Sequence, residues 1–86
     1  MVTVGENFKR IRAANGVTQE QIYKALGYKR PANVSLLETS KRLPKPATIK
    51  RMAAVLGCDP WELLDGVSTP YDELRRKPTA ARKRAG

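Results

Sequence analysis

Apolar residues recur at three- and four-residue intervals along most of this chain, in short runs that mostly end at a glycine. Val4, Phe8, Ile11 and Ala14 fall on one face of a first predicted helix. Thr3 followed by Glu6 has the spacing of a capping box, so this helix starts near Val4, and Asn15-Gly16 stops it. Thr18 and Gln21 repeat the capping pattern. The second helix then runs to about Leu26, burying Ile22, Ala25 and Leu26, and ends at Gly27. A third helix spans about 31–39, with Pro31 in its first turn, where a missing N–H costs nothing, and Arg30 at the N-cap. Its inward residues are Val34, Leu37 and Glu38; Arg30, Ala32, Asn33, Ser35 and Leu36 remain outside. After the loop 40–46, a fourth helix runs from about Pro46 to Leu56 and buries Ile49, Met52, Ala53 and Leu56. Asp59-Pro60-Trp61-Glu62 caps a short fifth helix anchored by Trp61 and Leu64 and stopped at Gly66. No strand-like alternation is present.

The centre of this pattern is Thr18–Thr39, two short helices meeting at a glycine-containing turn. That is a helix-turn-helix unit, the device that sets a second helix into the major groove of DNA. Charge agrees with it: 17 Lys and Arg oppose 8 Asp and Glu, a net +9 on 86 residues, and such a field attracts polyanions. Residues 67–86 hold +4 of this, against +5 for residues 1–66. The division expected is therefore a folded domain at 1–66 and a basic extension at 67–86. The extension is expected to form a short helix near 70–76 and then to be disordered, because 79–86 lacks any apolar residue larger than alanine.

Other chemistry has little to work with. Histidine is absent, so the usual general base and commonest metal ligand are missing. One cysteine, Cys58, can build neither an internal disulfide nor a thiolate metal site, and it is expected to be a small core residue. No phosphate-binding glycine loop or nucleophile elbow occurs. No metal, no cofactor and no enzymatic activity are expected. No apolar run approaches the roughly 20 residues of a membrane span, and no charged-then-apolar leader opens the chain, so a cytoplasmic protein without a membrane partner is expected.

From Val4 to Asp65 the chain resembles the Cro/phage-repressor-type (Xre) helix-turn-helix family. The carriers are Arg-x-x-Asn-Gly-Val-Thr-Gln-Glu-Gln-Ile at 12–22, Ala-Leu-Gly at 25–27, Val-Ser-Leu-Leu-Glu at 34–38 and Ala-Val-Leu-Gly-Cys-Asp-Pro-Trp-Glu-Leu-Leu at 54–64. The resemblance implies an all-α, five-helix lambda-repressor-like DNA-binding domain, prokaryotic or phage-encoded, with the basic tail appended. It implies that Gln19, beside Thr18, grips a DNA phosphate. It puts Pro31, Ala32, Ser35 and Leu36 against bases, flanked by Arg30 and Asn33, and it runs Lys41, Arg42 and Lys45 beside the backbone. It also pairs Arg12 with Glu38.

The chain departs from the family pattern on the outward face of the third helix. Pro31 cannot read a base edge by hydrogen bonding, and Ala32 and Leu36 offer only apolar contact, for instance to thymine methyls. Hydrogen-bonded readout then rests on Arg30, Asn33 and Ser35. Arg30 either reads guanine or neutralises a phosphate; Leu36 either faces DNA or closes the core. Tyr28, with Lys29 beside the turn, either reaches a phosphate through its hydroxyl or packs on the turn. Ser40 stands where the family commonly has glycine.

The function expected is a sequence-specific regulator of transcription that binds double-stranded DNA. A repressor acting as a homodimer on a palindromic operator is the simplest form, because one helix reads only a few base pairs. Trp61, Leu63, Tyr71 and Leu74 are the dimer candidates. An antitoxin or adaptor on the same scaffold, with residues 67–86 ordering on a protein partner, is the rival.

Overall fold

The structure, a computed structural model, describes residues 2–71 and Leu74. Five helices follow in order: α1 (Val4–Ala14), α2 (Gln19–Ile22), α3 (Ala32–Thr39), α4 (Pro46–Leu56) and α5 (Pro60–Leu63). No strand occurs among the described residues. The fold is all-α, as the periodicity predicts.

The capping signals act as read. The Thr3 hydroxyl accepts from the Glu6 N–H at 3.1 Å while the Glu6 carboxylate accepts from the Thr3 N–H at 3.1 Å. Thr18 and Gln21 do the same at the start of α2, at 3.2 and 2.7 Å. The Glu62 carboxylate accepts from the Asp59 N–H at 2.8 Å before α5. Each reciprocal pair satisfies backbone donors that the first helical turn leaves without a partner.

Two boundaries differ from expectation. The regular part of α2 stops at Ile22, not near Leu26; the chain continues through looser helical turns in which the Leu26 N–H still reaches the Ile22 carbonyl at 3.2 Å. Gly27 closes that turn at φ +86°, a conformation costly for any side chain. Ala25 consequently faces solvent, as does Ala14 at the end of α1. At α3 the N-cap is Pro31 rather than Arg30, although the Arg30 carbonyl accepts from the Asn33 N–H at 3.1 Å. The predicted turn at 70–76 and tail at 79–86 lie outside the described residues, apart from residues 70, 71 and 74.

Helix α1 is the hub, packing against α3, α4 and α5. Phe8, Val34, Ile49, Met52 and Leu63 are fully enclosed, joined by Val4, Ile22, Leu26, Ala53 and Leu64. Each large side chain removed from water contributes on the order of 1.5–3 kcal/mol before the entropy cost of ordering it. The core also takes in Val67 and Leu74 from the C-terminal side of Gly66.

Besides Glu38, two buried positions carry no apolar signal. Gly5 lets α1 lie directly on the end of α3: a Cβ there would sit 2.5 Å from the Leu37 carbonyl oxygen and 2.6 Å from that of Glu38. Asn7 is 3% exposed and donates its amide to the carbonyls of Leu63 at 2.8 Å and Asp65 at 2.9 Å. It thus caps the C-terminal end of α5, satisfying a buried acceptor on Leu63 and a partly buried one on Asp65.

Candidate nucleic-acid interface

Helix α3 is fixed from its inner side. Val34 is fully buried, and the Glu38 side chain is 2% exposed. The Glu38 carboxylate pairs with Arg12 of α1 in a fork: Nε donates to Oε2, and Nη2 donates to Oε1 at 3.2 Å. Arg12 also donates Nη1 to the Val17 carbonyl at 2.7 Å, tying down the segment that leads into α2. The Gln19 amide of α2 donates to Glu38 Oε1 at 3.0 Å. One carboxylate therefore joins α1, α2 and α3, and fork geometry suits Arg rather than Lys in this position. The arginine–glutamate pair follows the resemblance; the Gln19 contact is an addition to it.

The outer side of α3 is open. Ala32 is exposed, and Leu36 is 66% exposed, so Leu36 does not close the core. Asn33, Ser35 and Pro31 are half-buried on the flanks. Lys29 and Arg30 precede α3 and Lys41 and Arg42 follow it, all four exposed, with Lys45 exposed further along the loop. Helix α3 is thus bracketed by cations. Tyr28 is half-buried and packs against the core beside the turn.

The loop after α3 needs no glycine. Ser40 takes an extended conformation at φ −68°, ψ 138°, open to any residue, and its hydroxyl accepts from the Arg42 N–H at 3.1 Å. Leu43 packs against the core and anchors the basic loop.

The four dimer candidates do not share one fate. Leu63 is 0% exposed and Leu74 is 4% exposed, so both are core residues and neither offers area to a partner. Beyond Gly66, Val67 and Leu74 join the same buried core cluster. Trp61 and Tyr71 are half-buried. No described helix is long and apolar enough to cross a membrane.

Residues 3–65 match the model of a helix-turn-helix domain. The chain belongs to this helix-turn-helix domain family. An uncharacterized HTH-type transcriptional regulator of Sinorhizobium fredii is 37% identical over 70 residues, which span 81% of this chain and 84% of that protein. No solved structure gives a significant match. The helix-turn-helix segment, Thr18–Thr39, falls wholly inside the matched region.

Sequence reasoning missed two residues on which the geometry of this helix-turn-helix depends. Gly5 sets the distance between α1 and α3, and Asn7 holds α5 beneath α1. Their partners lie more than thirty and more than fifty positions away in the chain, with Asn7 and Leu63 separated by 56. The available signal was weak in each case: a glycine in the first turn of a helix, and an asparagine on an otherwise apolar stripe.

Proposed function

We propose that this chain is a sequence-specific, double-stranded-DNA-binding regulator of transcription of the Cro/phage-repressor (Xre) type, acting in the cytoplasm. The carrying observation is the two-sided character of α3. Its inner side is locked by Arg12, Gln19 and Glu38, and its outer side is exposed between Lys29–Arg30 and Lys41–Arg42. A rigid helix with an open face and cationic shoulders suits the major groove, where side chains reach base edges and flanking cations meet phosphates. The relative described as a transcriptional regulator supports the same reading.

In this proposal Arg30, Asn33 and Ser35 make the polar base or phosphate contacts, and Pro31 and Ala32 approach the groove at the start of α3. Thr18, Gln19 and Tyr28 border one phosphate strand, and Lys41, Arg42 and Lys45 border the other. The protein represses by occluding a promoter as a homodimer on a palindrome, because two half-sites about 34 Å apart supply the specificity that one helix lacks. Trp61 and Tyr71 are the apolar residues left for pairing.

Selection of bound duplexes from a random DNA pool, followed by a gel shift over a salt series, tests this. Enrichment of a two-fold-symmetric site whose affinity falls log-linearly with salt is expected. Binding that is equal on all sequences and abolished by modest salt refutes specific recognition.

A further inference from the structure

The exposed positions on α3 are Ala32, Leu36 and Thr39. Ala32 and Leu36 lie one helical turn apart and share one ridge. Thr39 adds no hydrogen to it, because its hydroxyl donates back to the carbonyls of Ser35 at 3.0 Å and Leu36 at 3.3 Å. The ridge is therefore apolar and carries Leu36, the most exposed large hydrophobic side chain among the described residues. The cations before and after α3 determine what such a ridge can meet. A second copy of this +9 chain would bring like charges against the same rim, whereas a polyanion complements it. Among the base edges of the major groove the apolar group is the thymine 5-methyl; every other feature is a donor or an acceptor.

We propose that the Ala32–Leu36 ridge reads thymine through its 5-methyl group, with Leu36 as the specificity-determining residue. This rests on the DNA-binding reading above and adds to it the chemical group recognised. Thymine replaced by uracil loses only that methyl and still pairs with adenine, which isolates the contact. Moving one methyl-sized group from water into an apolar contact corresponds to about fourfold in affinity.

The experiment begins with duplexes selected by the intact chain and replaces each thymine singly with uracil, measuring affinity by filter binding at fixed salt. The expected result is a thymine in each half-site at which uracil weakens the native chain about fourfold. Leu36→Ala, which alters only a solvent-facing side chain, should bind the thymine and uracil duplexes alike. Equal weakening in both proteins overturns the inference and leaves the regulator reading standing. So does a selected site with no thymine, or one tolerant of uracil at every position. Absence of selective binding to any duplex overturns both.

Discussion

Replacing Glu38 by alanine is the perturbation whose size can be worked most directly from the structure. The carboxylate is 2% exposed and accepts three hydrogen bonds, two from Arg12 and one from Gln19. The Arg12 side chain is only 12% exposed in the native protein, and removal of Glu38 leaves its guanidinium with the Val17 carbonyl as a dipolar but uncharged partner. An ion stripped of its counter-ion in such a place costs about 3–5 kcal/mol. The lower end applies, since Arg12 retains some access to water. For a domain of this size about 3 kcal/mol corresponds to a fall of about 12–24 °C in Tm. That is a large fraction of the whole stability of a small domain, so Glu38→Ala should be partly unfolded at 37 °C. Thermal unfolding followed by circular dichroism gives the number. Glu38→Gln, which keeps an acceptor oxygen and the side-chain shape, should lose less. A fall below about 4 °C for Glu38→Ala would put the pair in the class of exposed surface bridges and refute the argument. Arg12→Met with Glu38→Leu should recover much of the loss, because replacing a buried pair by apolar residues is often neutral.

Three further outcomes follow from buried groups. Gly5→Ala should lower the urea midpoint despite alanine's better helix propensity, by a net of about 1–2 kcal/mol, because the new methyl meets the backbone carbonyls of Leu37 and Glu38. Asn7→Ala should cost about 2–3 kcal/mol in the same titration, since it strips a donor from two carbonyls at the end of α5. The Cys58 thiol is pushed up by burial, then by the negative charges of Glu62 and Asp59, so the thiolate is scarcer than for an ordinary thiol at the same pH. Alkylation at pH 8 should be slower in the folded protein than in urea and should accelerate as pH rises; equal rates in both states would contradict the assignment.

What was legible in the sequence was what depends on neighbours in the chain. Thr3 with Glu6, Thr18 with Gln21 and Asp59 with Glu62 mark helix starts because each cap is completed within three residues. Pro46 opens α4 and Gly57 closes it for equally local reasons. The inward face of α3 was legible too, through the spacing of Val34 and Glu38. The unread part is tertiary. Gly5 and Asn7 acquire their roles only when α1 meets the ends of α3 and α5. Leu63 and Leu74 looked like spare apolar area because no local pattern tells that the segment beyond Gly66 returns to cover the core. Ala25 fits the helical period of α2 but faces water, since the regular helix gives way before it. The outward side of α3 carries no packing constraint, so periodicity could mark it as exposed but could not say what it meets.

The joint made by Glu38 also separates what the fold asks of α3 from what α3 presents to solvent. Everything the fold requires of α3 is gathered on Val34, Leu37 and Glu38, and none of it on Ala32 or Leu36. Packing and solvent exposure are therefore assigned to different residues of the same eight-residue helix. Substitutions confined to Ala32 or Leu36 should accordingly leave the melting point where it was. A change at Glu38 has no such freedom, because it would alter the seating of three helices at once.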